Sequence, residues 1–192
     1  MNKRLFAIAA ISVALASAAS AQITAFFGNA DEVRTFTNAS GTNLAAGSLV
    51  RLGSFAAGTD FSTGSISYLD SQFTQYGSST IGNGYAGLAG YMDASTTNAP
   101  VSAKLYYWVF NAPTTVAATQ IGIFSNTGTL WTTPANAPDT VFTDLSTANL
   151  ANFGTLTPSF AMTSAVPEPS TYAAILGLAT LGFVGYRRYR RS

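Results

Sequence analysis

Residues 102–110 read Ser102-Ala-Lys-Leu-Tyr-Tyr-Trp-Val-Phe110, and their alternation decides the fold. Successive side chains of a strand point to opposite faces, so Leu105, Tyr107 and Val109 share one face and Tyr106, Trp108 and Phe110 the other. Bulky apolar groups on both faces predict a central strand covered on both sides. Thr119–Phe124 and Asp139–Thr143 read as its later neighbours. Upstream, Gln22–Phe27, Glu32–Phe36, Ser48–Phe55 and Gly64–Tyr68 are further strand candidates. Pro100, Pro113, Pro134 and Pro138 fall between these runs, where a missing N–H does no harm.

Helix signals are sparse. Leu69, Phe73 and Tyr76 recur at i, i+4 and i+7 with Gly77 next, which predicts a two-turn helix. Thr143–Phe153, with Leu145, Leu150 and Phe153 apolar, predicts a second short one. Ser78–Gly90 reads as a loop followed by a weak strand. No internal repeat is visible. The pattern predicts an all-β domain, a β-sandwich or jelly-roll-like architecture with one or two short helices.

Histidine and cysteine are both absent. That removes the commonest near-neutral acid/base group, the thiolate nucleophile, the usual zinc and copper ligands and any disulfide. A Ser-His-Asp triad cannot be assembled. Paired carboxylates remain, but Asp31 and Glu32 are adjacent and face opposite ways on a strand. Asp60, Asp70, Asp93, Asp139 and Asp144 are scattered beside turn residues, where turn and cap duty explains them. Lys104 reads as a solvated lysine at a strand end. Gly82-x-Gly84-x-x-Gly87 matches a dinucleotide fingerprint formally, without the preceding buried strand and following helix that the fingerprint needs. The expectation is a non-enzymatic chain with no catalytic residues, cofactor or metal. Trp108 and Trp131 are the candidates for stacking on a sugar; the same residue types also fill ordinary β cores, so both readings stand.

The two ends differ from the middle. Met1 to Ala21 has a basic start at Lys3 and Arg4, an apolar run from Leu5 to about Ala16, and the small-x-small triplet Ala19-Ser20-Ala21. This predicts a signal peptide over residues 1–21, cleaved before Gln22, with the Sec translocon and signal peptidase as partners. At the other end, Val166-Pro167-Glu168-Pro169-Ser170-Thr171 precedes an uncharged stretch to Tyr186 and then Arg187, Arg188, Arg190 and Arg191. The prolines force extended backbone before a helix that starts near Ser170 or Thr171. A helix of about 16 residues reaches roughly 24 Å, short of the hydrocarbon thickness of about 30 Å. The arginines place the C-terminus in the cytoplasm and the body across the membrane. The expectation is a transmembrane sorting helix that holds the chain briefly.

Three segments follow: residues 1–21, a body over 22–165, and a tail over 166–192. The body carries three basic and seven acidic side chains, a net charge of −4, although the whole chain is +1. The basic clusters belong to the ends, so no nucleic-acid partner is expected.

The tail resembles the PEP-CTERM sorting signal of Gram-negative bacteria in its three parts and their order. The resemblance covers about a seventh of the chain. It implies cleavage near Pro167-Glu168-Pro169 by an exosortase, a membrane processing enzyme. The Leu-Pro-x-Thr-Gly motif of Gram-positive sortase substrates is absent. The body, through the Lys104–Phe110 strand, an Ile-Phe strand and Trp131-Thr-Thr-Pro134, is similar to central regions of other PEP-CTERM proteins, and no site residue carries over. The expected destination is the cell surface or extracellular matrix, after transient anchoring at the inner membrane. The expected role is a structural or adhesive component associated with exopolysaccharide. A carbohydrate-binding module or weak glycan-active enzyme is the alternative.

Overall fold

A computed structural model describes residues 22–29, 34–166 and 169–190. Its strands and helices are β1 (Gln22–Gly28), β2 (Phe36–Thr37), β3 (Leu49–Phe55), α1 (Ile66–Gln72), β4 (Phe73–Thr80), β5 (Asp93–Pro100), β6 (Tyr106–Phe110), β7 (Gln120–Ser125), β8 (Thr140–Asp144), β9 (Leu150–Phe153), β10 (Phe160–Ala161), β11 (Thr163–Ser164) and α2 (Pro169–Tyr189). Single 3-10 turns cover Phe61–Thr63 and Leu145–Thr147. The chain is mostly β, as its sequence predicts.

The larger sheet runs β11-β7-β6-β3-β4, and β9 shares the outer edge of β7 with β11. The smaller sheet is β5-β1-β8, antiparallel on the β5 side and parallel on the β8 side. A short parallel pair joins β2 to β10. β6 lies inside the larger sheet between β3 and β7. Its Leu105–Tyr107–Val109 face enters the main core with Ile23, Ala25 and Phe27 of β1, so both sheets share that core. Trp108 and Phe110 enter a second cluster with Leu69 of α1, flanked by Phe55, Phe61 and Phe73. Both faces of β6 are therefore covered, as the double-sided apolar pattern requires.

Several boundaries differ from the sequence reading. Gly64–Tyr68 is not a strand. Ser65 caps α1, its Oγ accepting the N–H of Tyr68 at 3.3 Å, and the helix buries Leu69. The helix expected through Tyr76 stops at Gln72, because Phe73 turns extended and pairs opposite Phe55 in the β3–β4 ladder. Ladder pairing beyond the reach of local periodicity overrides the i, i+4, i+7 spacing. Gly53 sits at an irregularity of that ladder. A Cβ there would lie 2.2 Å from the Thr74 carbonyl oxygen and 2.5 Å from Phe73 Cζ, so the close approach needs glycine.

The helix expected over Thr143–Phe153 is one 3-10 turn, capped by Asp144, between β8 and β9. Asp139–Thr143 is a strand but not a neighbour of β6; as β8 it pairs with β1 in the other sheet. The region expected to be a loop from Ser78 starts later, because β4 continues to Thr80, and the weak strand after it is β5. Of the candidate Glu32–Phe36, residues 32 and 33 lie outside the described residues, and Phe36 opens β2.

Candidate functional site

The body leads straight into the tail. β11 pairs with the edge of β7, Ala165 donates its N–H to the Thr119 carbonyl at 2.9 Å, and Val166 donates to Gly64 at 3.0 Å. Pro167 and Glu168 lie outside the described residues. Pro169, Ser170 and Thr171 form the first turn of α2. A proline there is well placed, since its fixed φ suits a helix and its absent N–H is one no helix can use.

Ile175, Leu176, Leu178, Leu181 and Phe183 of α2 are all exposed, so α2 is not a helix buried in the body's core. Thr180 Oγ1 donates to the Leu176 carbonyl at 2.7 Å, which satisfies its hydroxyl within the helix. Arg187 and Arg188 occupy the last turn, where positive charge complements the carbonyl end of the helix dipole. Arg190 follows directly, its N–H bonded to Tyr186, and Arg191 lies outside the described residues.

The transmembrane expectation needs correcting. Among the described residues no helix is long and apolar enough to cross a membrane. α2 has 21 residues, but its length includes arginines, and Gly177, Thr180, Gly182 and Gly185 dilute the apolar stretch between them. At the other end, Ala19 and Ala21 lie outside the described residues. Gln22 is the exposed first residue of β1, opposite Pro100.

Trp108 and Trp131, the two sugar-stacking candidates, are both fully buried. Trp131 packs on Tyr107 at 4.9 Å between ring centroids, and its Nε1 donates to Thr147 Oγ1 at 2.8 Å. Trp108 is enclosed by Phe55, Phe73 and Phe110, with the Arg51 guanidinium 5.0 Å from its ring centroid. Neither indole offers a face to a ligand; both are core residues. Lys104 is likewise not simply solvated, because its Nζ donates to the carbonyls of Asn126 and Gly128. Partial burial pushes its pKa down.

The structure instead gathers aromatic and acidic groups on the outer face of the smaller sheet. Phe26 of β1 and Phe142 of β8 are register partners, 40 % and 68 % exposed, and stack with centroids 5.1 Å apart and planes 11° from parallel. Two residues along, Gly28 pairs with Asp93 of β5 on one side and Asp144 of β8 on the other. The missing side chain at Gly28 leaves room for Asp93, whose Oδ1 lies 3.2 Å from where a Cβ would stand. Asp144 Oδ1 caps the 3-10 turn by accepting the Ser146 N–H at 2.8 Å. Tyr85 closes the rim, its hydroxyl donating to the Asn29 carbonyl at 2.9 Å. The resulting cleft has a volume of about 250 Å³.

Sequence reasoning passed over this cleft because Asp93 and Asp144 look like scattered turn residues. The usable signal was the outward position of Phe26, next to inward Phe27. The glycine-rich stretch behind the formal fingerprint is part of the same region. Gly82, Gly84 and Gly87 all have positive φ in a chain of turns, and a Cβ at Gly84 would meet Asp93 Cβ at 2.9 Å. These glycines serve tight turning and close packing, and no helix follows them. Among the described residues no group of three or more His, Cys, Asp or Glu is placed to hold a metal.

No curated protein and no solved structure matches the chain. A family model does match its C-terminus: residues 165–191 fit the PEP-CTERM protein-sorting motif. The match spans the docked Ala165–Val166 junction, the exposed helix α2 and the arginine cluster in one continuous segment. The chain carries a PEP-CTERM sorting motif, which marks an exported protein that an exosortase processes.

Proposed function

We propose that the chain is a non-catalytic, exported component of the cell surface or extracellular matrix, with a structural or adhesive role in association with exopolysaccharide. Residues 1–21 act as a signal peptide, read by the Sec translocon and removed by signal peptidase before Gln22. The body over residues 22–165 is a β-sandwich whose two sheets share one core. The tail over residues 166–192 is held at the inner membrane only until it is cut.

The observation that carries this reading is α2 itself. It is an apolar helix whose described large side chains are exposed, set between Val166 and a run of arginines. An apolar face that the body leaves uncovered needs another partner, and a membrane supplies one. Its modest apolarity suits brief residence better than permanent insertion, and the logic parallels other C-terminal anchors that are removed on maturation. The lack of His and Cys in the chain supports the non-catalytic assignment.

Expression with and without an active exosortase tests the sorting step. The full-length form should accumulate in the inner-membrane fraction when the enzyme is missing, and a shorter form should leave that fraction when it is present. Identical size and fractionation in both strains would contradict the proposal. Hydrolytic turnover of an exopolysaccharide by the purified protein would contradict the non-catalytic assignment.

A further inference from the structure

We propose that the cleft over β1, β5 and β8 binds a sugar ring bearing a free amino group, a reading that rests on the polymer association proposed above and names its chemistry. The outer face of this sheet is otherwise polar, with Ser95 and Thr140 exposed and Thr24 half-buried at neighbouring positions. Two stacked phenyl rings left open to water amid hydroxyl groups form a local apolar platform. The C–H face of a pyranose covers such a platform, while its rim presents hydrogen-bond donors.

The rest of the cleft selects among sugars. Carboxylates accept hydrogen bonds and donate none, so Asp93 and Asp144 call for donors on the ligand. Among the described residues, no lysine or arginine lines the cleft. Arg34 is directed to the carbonyls of Leu145 and Ser146, with its guanidinium 4.8 Å from the Phe160 ring centroid. Two carboxylates at one mouth favour a cationic ligand and repel a uronic acid.

Geometry favours a ring over a single ammonium on a flexible stem. Asp93 and Asp144 flank β1 on opposite sides, two strand spacings or roughly 10 Å apart at their backbones. One ammonium cannot readily serve both, whereas a ring with donors around its rim can reach each carboxylate while resting on Phe142. The cleft, at about 250 Å³, lies below the usual range of about 300–1,000 Å³ for small-molecule sites. It therefore holds one residue of a polymer and leaves the neighbours in solvent.

The test is calorimetric titration of the full-length chain in detergent micelles with four probes: hexamers of glucosamine, N-acetylglucosamine, galacturonate and lysine. The glucosamine hexamer is expected to bind at least about tenfold more tightly than the other three. Phe142→Ala and Asp144→Asn should each weaken it about tenfold or more. Phe142 is exposed, and asparagine keeps a side-chain oxygen for the Ser146 N–H, so both variants should fold. The proposal is overturned if glucosamine hexamer fails to bind, if any other probe matches it, or if neither variant weakens it. Tighter binding of the N-acetylglucosamine or galacturonate hexamer would overturn the amino-sugar assignment and leave the polymer association standing, whereas no binding of any saccharide probe would count against both, so the two failures are read separately.

Discussion

The backbone N–H of Val166 donates to the carbonyl of Gly64 at 3.0 Å, so the first residue of the Val-Pro-Glu-Pro element is bonded to the folded body. Gly64 has φ +57, and a Cβ there would stand 2.8 Å from Phe153 Cζ and 3.1 Å from Val166 Cγ2. The junction depends on a residue without a side chain.

Gly64→Ala should therefore destabilise the body by about 1–2 kcal/mol, through left-handed backbone strain and the clash with Phe153. Thermal unfolding should show a midpoint lowered by a few degrees. It should also show faster proteolysis between Ser164 and Val166, because the bond to Gly64 is the contact most directly displaced.

Gly177 and Gly182 face open space in α2. Replacing both with leucine adds apolar surface and removes the helix cost of glycine, about 1 kcal/mol per position. The double variant should become a stable membrane helix, so carbonate extraction should leave more protein in the membrane pellet than for the natural chain. Equal extraction would show that marginal apolarity does not limit membrane residence.

Tyr107 is fully buried, and its hydroxyl donates to the Thr143 carbonyl. Tyr107→Phe leaves that carbonyl without this donor and should cost about 1–3 kcal/mol in denaturant unfolding. Burial raises the phenol's pKa in the folded state. The folded chain thus keeps a proton that the unfolded chain releases above about pH 10, so this residue's contribution is complete below that pH and is lost as pH rises past it. Tyr107→Phe should show a shallower alkaline loss of stability than the natural chain.

The tryptophans predict a stability difference rather than a binding one. Trp108→Ala and Trp131→Ala should each cost about 3–5 kcal/mol. Their phenylalanine variants should separate. Trp131→Phe gives up the bond to Thr147, whereas Trp108 Nε1 has no hydrogen-bond partner among the described residues. By chemical denaturation, Trp131→Phe should be the less stable of the two by about 1 kcal/mol.

Arg51 illustrates how a charge can act through packing. Its Nη1 bonds Asp70 Oδ1 at 2.5 Å, while its guanidinium lies 4.7 Å from the Phe73 ring centroid and 5.0 Å from that of Trp108. The arginine side chain is 13 % exposed and the aspartate 51 %. Asp70→Asn should cost under about 1 kcal/mol, since a half-exposed ion pair is screened. Arg51→Ala should cost roughly 2 kcal/mol or more, because it uncovers two aromatic rings. Equal costs in urea unfolding would contradict that division.

Legibility in the sequence followed the range of the forces involved. The two faces of β6 could be read because alternation is local, and Leu105, Tyr107 and Val109 do lie opposite Trp108 and Phe110. Phe73 misled because its helical spacing from Leu69 is also local, while its pairing with Phe55 is not. The tail was legible because its order of proline, apolar helix and arginine is written in consecutive residues. The cleft was not, because Phe26 meets Phe142 through a parallel pairing of distant strands. Aromatic identity alone pointed to the tryptophans, whose size drew them into the core, and away from the phenylalanines that stayed outside.

Mass spectrometry of the C-terminus of the exported protein tests the sorting account most directly. The account predicts that the mature chain ends near Pro167-Glu168-Pro169, with α2 and the arginine cluster gone. A mature protein that retains an intact C-terminus through Ser192 would contradict it.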